Sequence, residues 1–237
     1  MITFTELGKK GRLGNQLFQI AATIDLALRN DSEYGFPRWP EEINFNLHGC
    51  FYENFSPRPT YREPHFEYSE IPYQPELDIT GFFQSEKYFD ESKHIVRSLL
   101  TPKLGFGIKY NHTSIHVRRG DYVNNQQNYV QLGMDYYNQA INLTNSNRYI
   151  VFSDDIEWCK GHFKGDKFSF AEGNAPAHDL ALMLACEHNI IANSSFSWWG
   201  AYLNKNPGKT VIAPKKWFGP QLQHNTKDLL PPEWMTI

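Results

Sequence analysis

Apolar and polar positions change period repeatedly along the second half of the chain. Short apolar runs predict strands at TSIHVRR (113–119), RYIVFSD (148–154), KFSFAE (167–172), NIIANS (189–194) and TVIAP (210–214). Stretches with helical spacing lie between them: GMDYYNQAINLT (133–144), DIEWCKGHF (155–163), PAHDLALMLACEH (176–188) and SWWGAYLNK (197–205). Strands that alternate with helices of about ten residues predict βαβ units and a parallel sheet.

The first part of the chain is less regular. ITFTEL (2–7) predicts a strand, Gly8, Gly11 and Gly14 predict a loop, and NQLFQIAATIDLALRN (15–30) predicts a helix. Residues 31–79 show no sustained period and predict irregular surface with short strands. ESKHIVRSLL (91–100) predicts a second helix, which ends near Pro102.

Composition and charge narrow the function classes. The chain has 237 residues with 41% hydrophobic positions, which suits one or two compact domains. A net charge of −3 disfavours a broad surface for nucleic acid or membranes, so any anion site must be local. Three cysteines, without C-x-x-C spacing, disfavour a disulfide framework. With no signal-peptide pattern and no apolar run of membrane length, we expect a cytoplasmic protein without a membrane anchor.

The stretch SIHVRRGDYV places Arg118 and Arg119 at the carboxyl end of a predicted strand, where parallel sheets bind ligands. His116 and Arg118 face the same side of that strand because side chains alternate. The arginines could grip a phosphate, or form a solvated ion pair with Asp121. The tripeptide Arg119-Gly120-Asp121 would serve cell adhesion only on an exposed extracellular loop, which the composition disfavours.

Further polar residues occur where other predicted strands and helices meet. Asp154 and Asp155 end the next strand; being adjacent they diverge, and they could instead cap the following helix. Asp179 lies in a first helical turn, where it could offset the helix dipole or accept from the N–H groups of a base. No His/Cys metal motif occurs.

Three serines, Ser194, Ser195 and Ser197, lie where a strand gives way to a helix. One of them would suffice as a helix cap, with Trp198 and Trp199 as core. Together they also make an anion site. Two arginines and a serine-rich helix start, without a metal motif, suit the departure of a diphosphate.

Four of these segments, in this order, resemble the motif series of glycosyltransferase family 11, the α-1,2-fucosyltransferases. They are GRLGNQLFQIAA, HVRRGDY, FSDD, and HDLALMLACEHNIIANSSFSWWGAYL followed by VIAPKKWF. The resemblance covers residues 8–22 and most of 113–218. It implies an α/β, GT-B-like fold of two Rossmann-like lobes with parallel sheets. A short acceptor-side lobe would span 1–105 and a GDP-sugar-binding lobe 106–237, whose last residues could pack back on the first lobe.

The resemblance also implies an activity and a set of site residues. The activity is transfer of L-fucose from GDP-fucose, with inversion and without a metal or other cofactor, to the 2-hydroxyl of a terminal galactose on a glycan. By the resemblance, Arg118 contacts the β-phosphate, His116 and Arg119 support that contact or the nucleotide, and Asp179 recognises guanine. The remaining residues implied are Ser194, Ser195, Phe196 and Ser197 at the pyrophosphate, Asp154 and Asp155 beside the nucleotide, and Asn15 and Gln16 near fucose or acceptor.

Inversion by direct displacement needs a base for the proton of the acceptor hydroxyl. Asp121 is the expected base, although it could instead orient Arg118, and His116 is a second candidate. A loose, oxocarbenium-like transition state would need little help from a base. Two other functions stay open: transfer from another GDP-sugar, and carbohydrate binding by a catalytically silent protein on the same scaffold.

Overall fold

The computed structural model of the chain describes residues 1–104 and 109–237. It divides into two compact units. The first unit comprises Met1–Lys103 and His224–Pro231, and the second comprises Leu104–Gln223 and Pro232–Ile237. The lobe boundary that the sequence predicts, between residues 105 and 106, lies outside the described residues.

The first unit contains a five-stranded sheet. Its strands are β1 (Ile2–Thr3), β2 (Tyr34–Pro37), β3 (Phe51–Tyr52), β4 (Thr60–Arg62) and β5 (Asp78–Thr80), in the order β3-β2-β1-β5-β4. Every pair is parallel. Three of these strands lie within the stretch 31–79 and β5 ends one residue beyond it, and all four are only two to four residues long. A period of two cannot be recognised in so few residues, so the pattern there predicts only irregular surface with short strands.

Two helices belong to this unit: α1 (Leu13–Leu28) and α2 (Lys93–Leu100). Short 3₁₀ turns cover Glu42–Asn44 and Glu86–Tyr88. Helix α1 follows β1 through the predicted glycine loop, in which Gly8 (φ 86°) and Gly11 (φ 73°) adopt the left-handed conformation. Almost all of α1 is buried, which explains why its sequence is apolar around most of its circumference.

The second unit contains a six-stranded sheet. Its strands are β6 (Tyr110–Val117), β7 (Tyr149–Ser153), β8 (Phe168–Phe170), β9 (Cys186–Ile190), β10 (Val211–Ala213) and β11 (Met235–Thr236). All neighbours pair in parallel, in the order β11-β10-β9-β6-β7-β8. Counted from β6 as the first strand, the order is 3-2-1-4-5-6, that of a Rossmann fold. The predicted parallel α/β class is therefore confirmed.

The helices of the second unit are α3 (Met134–Thr144), α4 (Ile156–His162), α5 (Pro176–Ala185) and α6 (Ser195–Leu203), and a 3₁₀ turn covers Gly120–Tyr122. One predicted boundary is wrong: residues 186–188 do not extend α5 but begin β9. Tyr110 of β6 pairs with Cys186, and Thr113 pairs with His188. This tertiary pairing outweighs the local helical pattern, in which no glycine or proline marks the end of the helix.

Helix α6 runs through the core of the second unit. Trp198 and Trp199 are fully buried, and Trp198 stacks on Tyr202 with 4.7 Å between the ring centroids. A Cβ atom at Gly200 would approach the Met183 side chain to 2.9 Å, so glycine permits the close contact between α5 and α6. Among the residues that the structure describes, no helix combines the length and apolar character that a membrane span requires.

Candidate active site

The topology of the second sheet brings three strand ends together. Strand β6 lies between β7 and β9. Strands β7 and β8 follow on one side of it, and strands β9, β10 and β11 on the other, so the strand order switches at β6. The carboxyl ends of these three strands carry Arg118 and Arg119, Asp154 and Asp155, and the segment that leads into α6. A crevice at such a switch of strand order is where open α/β sheets bind ligands. Residues separated by 80 positions in the sequence thus share one edge of the sheet.

Arg118 is the centre of this edge. Its Nη1 donates to Oδ2 of Asp154, and its Nη2 donates to Oδ1 of Asp121. Its Cζ lies 5.1 Å from the centre of the Tyr122 ring, within the range of a cation–π contact. Only 13% of the side chain is exposed. The guanidinium is therefore held in one place by two carboxylates and an aromatic face.

Asp154 also fixes the backbone that follows β6. Its Oδ1 accepts from the N–H of Arg119 at 2.9 Å and from the N–H of Gly120 at 3.2 Å. A Cβ atom at Gly120 would collide with Oδ2 of the same carboxylate, so this position has room only for glycine. The glycine of the Arg-Gly-Asp tripeptide thus serves the packing of the turn against β7.

Arg119 points to other partners. Its Nε donates to Oδ2 of Asp155 at 3.0 Å, and its Cζ lies 4.2 Å from the centre of the Trp158 ring. Asp155 in addition caps α4, because its Oδ1 accepts from the N–H of Trp158. The helix cap that the sequence allows for Asp155 is therefore present. Two arginines that are adjacent in the sequence hold different carboxylates, and Arg119 joins β6 to α4.

His116 is buried beside the start of α6. Its Nδ1 lies 2.9 Å from Oγ of Ser197, and its ring centre lies 5.7 Å from that of Phe196. Burial lowers the pKa of His116 to about 4, against a smaller opposing effect of Asp154. The imidazole is neutral near pH 7, so it serves as a hydrogen-bonding group there and carries no charge.

The start of α6 shows the helix cap that the sequence allows for the serines, and their anion site stays a prediction. Ser194 is the cap, since its Oγ accepts from the N–H of Phe196 at 3.3 Å. Ser195 and Phe196 are half-buried in the first turn, whereas Ser197 is buried against His116. The helix start therefore presents one face toward the strand ends, and its dipole there favours an anion.

Asp179 lies in the first turn of α5. Its Oδ1 accepts from Nδ2 of Asn174 at 2.9 Å. Burial raises the pKa of its carboxyl, against a smaller effect of that hydrogen bond. Helix α5 leads into β9 and α6 leads out of it. Since helices of such units run antiparallel to the strands they join, both helices begin at the carboxyl edge of the sheet.

Asn15 and Gln16 lie in the first unit, at the start of α1. Oδ1 of Asn15 accepts from Nε2 of Gln84 at 2.8 Å. Gln16 has partners at both ends of its amide: Nε2 donates to the carbonyl of Gly11 at 3.0 Å, and Oε1 accepts from Nε1 of Trp39 at 2.8 Å. The eleven other predicted site residues belong to the second unit. The ligand contacts expected of all of them stay predictions.

Sequence reasoning missed two residues that build the site. Tyr122 provides the face for Arg118, and its hydroxyl donates to the carbonyl of Asn193 at 3.2 Å. Asn193 is fully buried, and its Nδ2 donates to the carbonyls of Val130 and Trp217 at 2.8 Å and 2.9 Å. The only sequence signal for them is their place beside RRGD and SSFSWW, because the contacts cross between distant segments.

Comparison with known proteins gives a family and a fold. The profile described as "Glycosyl transferase family 11" matches residues 41–237. The α-1,2-colitosyltransferase of Escherichia coli is 31% identical over 281 aligned positions, which cover 96% of each protein. The O-antigen biosynthesis glycosyltransferase WbnK of Escherichia coli is 38% identical, over 54% of this chain and 45% of that protein. Galactoside α-(1,2)-fucosyltransferase 1 of Sus scrofa is 28% identical, over 55% of this chain and 44% of that protein.

Comparison with solved structures supports the fold over most of the chain. The α-1,6-fucosyltransferase NodZ, in a crystal soaked with GDP-fucose, superposes with a TM-score of 0.51 over 85% of this chain and 92% of that one. The two sequences are 10% identical, so this likeness concerns the fold alone. It agrees with two α/β units built on parallel sheets, the GT-B-like arrangement that the sequence motifs imply.

Proposed function

The chain belongs to glycosyltransferase family 11, and from this we propose that it is a galactoside α-1,2-fucosyltransferase. The proposed donor is GDP-fucose, the proposed acceptor is the 2-hydroxyl of a terminal galactose on a glycan, and transfer proceeds with inversion and without a metal ion. We place the reaction in the cytoplasm. Cys50, Cys159 and Cys186 are buried free thiols, which suits a reducing compartment.

The observation that carries this proposal is the position of Arg118. It lies at the switch of strand order, at the same edge as the N-terminus of α6. Breaking the bond between fucose and GDP transfers negative charge to the β-phosphate. A fixed guanidinium and the positive end of a helix dipole stabilise that charge in the transition state. One such donor contributes about 3–4 kcal/mol, a factor of about a hundred to a thousand in rate.

When the new glycosidic bond forms, a basic group must accept the proton that the acceptor hydroxyl loses. We assign it to Asp121, which contacts Arg118 and is 56% exposed at the edge of the site. His116 is the weaker candidate. The residue is only 7% exposed, which leaves its imidazole little access to an acceptor hydroxyl. Its hydrogen bond to Ser197 instead fits a role in binding the nucleotide.

The remaining residues are assigned to the donor. Asp179 would accept hydrogen bonds from guanine, since its carboxyl is half-buried in the first turn of α5 and pairing with N–H groups would offset the effect of burial that raises its pKa. Ser194, Ser195, Phe196 and Ser197 would line the diphosphate at the start of α6. Arg119, Asp154 and Asp155 hold the backbone and side chains that border it. Asn15 and Gln16 would face fucose or the acceptor.

A second candidate donor is supported by one relative. The α-1,2-colitosyltransferase matches nearly the whole length of this chain, whereas the galactoside α-(1,2)-fucosyltransferase of Sus scrofa matches just over half of it. The contacts proposed for guanine and the diphosphate would serve either GDP-fucose or GDP-colitose.

A transfer assay tests the proposal. The protein is incubated in EDTA with GDP-fucose or GDP-colitose and a panel of galactosides, and both GDP release and the linkage of the product by NMR are measured. We expect an α-1,2-linked fucosyl product in EDTA. Faster transfer of colitose would favour the second donor, dependence on added Mn²⁺ would contradict the metal-free mechanism, and no product with any pair would refute the activity.

Variants of Arg118 test the leaving-group assignment. Arg118→Ala should lower kcat by about a hundredfold or more, because the charge on the departing β-phosphate loses its fixed partner. Arg118→Lys should recover only part of the rate, since an ammonium cannot make two parallel hydrogen bonds. The exposed Arg148→Ala, in the same unit, is the matched control. A loss below about tenfold in the folded Arg118→Ala protein would rule out this role for the guanidinium.

A further inference from the structure

The segment that follows Arg118 is a loop rich in amide side chains. Residues 124–131 read NNQQNYVQ, in which six of the eight side chains are amides. The loop starts only two residues after Tyr122, whose ring lies against Arg118. Neither the donor contacts nor the leaving-group chemistry assigned above uses it. Its place beside the reacting phosphate makes it a candidate for contact with the second substrate.

A column of aromatic rings connects the loop to Arg118. The Tyr122 ring stacks on Tyr129 with centroids 4.2 Å apart and planes within 7° of parallel. Tyr129 in turn lies 6.4 Å from Phe218, with which it also forms an isolated antiparallel bridge. These contacts attach the loop to the ring that lies against Arg118. A group bound by the loop would be positioned relative to the same reaction.

The backbone of the loop is held in one shape from two sides. The carbonyl of Asn128 accepts from the N–H of Gly219 at 2.8 Å, and the carbonyl of Gln127 accepts from the N–H of Gln221 at 2.9 Å. The carbonyl of Val130 accepts from the buried Nδ2 of Asn193. At Gly219 a Cβ atom would come within 2.5 Å of two loop carbonyls, so the segments touch directly. A loop ordered before binding loses little entropy on binding.

Within this ordered loop, the amides fall into two groups. Asn128 donates to Asn125 at 2.9 Å, and Gln126 donates to Gln131 at 3.1 Å, so these four satisfy one another. Asn124 and Gln127 are exposed, and their side chains make no hydrogen bond to the rest of the described chain. Each presents both a donor and an acceptor, the pairing that sugar hydroxyls use. Neither carries a charge, which suits a neutral glycan.

We propose that Asn124 and Gln127 bind hydroxyl groups of the acceptor glycan and so contribute to its selection. The inference rests on the proposed transfer to a galactoside and identifies the residues of the second unit that receive that substrate. It places part of the acceptor site on the loop that leaves Arg118, in the unit that also binds the donor. The aromatic column then couples the positions of the two substrates.

The test compares Asn124→Ala, Gln127→Ala and the double variant with the wild type. We expect the KM for the galactoside to rise about three- to tenfold for each single change and further for both, as for the loss of one hydrogen bond each. The Kd for GDP, measured calorimetrically without acceptor, should stay within about twofold of the wild type. The exposed Asn142→Ala, on α3, is the matched control for loss of an amide.

Two outcomes would overturn the assignment while leaving the transferase activity intact. An unchanged KM for the galactoside in the double variant would show that the loop does not contact the acceptor. A parallel loss of GDP affinity would show that the loop supports the donor site. Failure of the proposed function itself is read from the wild type, which would then form no product with any donor and galactoside. In that case the loop is tested by binding alone. Saturation-transfer NMR measures how the galactosides bind to the GDP-loaded wild type and double variant, and weaker binding to the double variant is expected.

Discussion

Stability against acid should depend on His116, and the change His116→Asn isolates this dependence. The imidazole is 7% exposed, and burial lowers its pKa to about 4 from an ordinary value of 6.5. Between these two values the unfolded chain binds a proton that the folded protein does not. The free energy of unfolding therefore falls as the pH drops below 6.5, and this loss levels off below about pH 4. Asparagine retains an amide beside Ser197 but does not titrate.

The size of the effect follows from the two pKa values. A difference of about 2.5 pH units corresponds to about 3 kcal/mol, at 1.36 kcal/mol per unit. The part lost between pH 7 and pH 5 is about 2 kcal/mol, because the unfolded imidazole is almost fully protonated at pH 5 and the folded one is not. Carboxyl groups elsewhere change stability in the same range. They act equally on both proteins, so they cancel in the difference between wild type and variant.

Urea unfolding at pH 7 and pH 5 measures this difference. The control for the loss of an imidazole ring is His162→Asn, a change at an exposed histidine of the same unit. We expect the free energy of unfolding of the wild type to fall by about 2 kcal/mol more than that of His116→Asn. NMR should show no titration of the folded His116 ring above pH 5. A midpoint near 6.5, or equal pH slopes for the two proteins, would refute the argument from burial.

Two further variants test the edge of the second sheet. Ser194→Ala removes the cap of α6 and should lower the free energy of unfolding, measured by urea titration, by about 1 kcal/mol. An unchanged midpoint of the urea titration would mean that the Ser194 Oγ does not stabilise the helix start. Asp121→Asn should lower kcat in the transfer assay while GDP binds at least as tightly, because one carboxylate no longer competes for Arg118. Weaker binding of GDP would show instead that Asp121 orients the arginine for the donor.

The sequence predicts the fold of the second unit well because its strands alternate with helices, and two of these helices carry their own start signals. Pro176 and Ser194 mark the starts of α5 and α6, and the structure has both helices there. The end of α5 is different, because the helical pattern runs on and only the pairing of β9 with β6 stops it. The short strands β2 to β5 depend on the sheet they join, so local patterns cannot reveal them.

The sequence predicts that the candidate residues lie at one edge of the sheet, but it does not predict the contacts that they make with one another. Alternation along a strand predicts that Arg118 faces the same side as His116, but it does not predict that Asp155 and Trp158 contact Arg119. Those partners follow from the order of strands in the sheet, which brings the end of β7 beside the end of β6. The same applies to Asn193, whose three contacts join segments that no local pattern relates.

The charges at this edge show why the arginines alone do not define an anion site. Arg118 and Arg119 carry two formal positive charges, while Asp121, Asp154 and Asp155 carry three negative ones, which leaves one net negative charge. A diphosphate can bind there only if another positive field acts or if a carboxylate leaves Arg118. The N-terminus of α6 supplies the field. Asp121 is the carboxylate that can leave, because it is 56% exposed, whereas Asp154 is 25% exposed and accepts two backbone N–H groups. The helix start and the exposed Asp121 therefore favour the proposed donor site over a closed network of ion pairs.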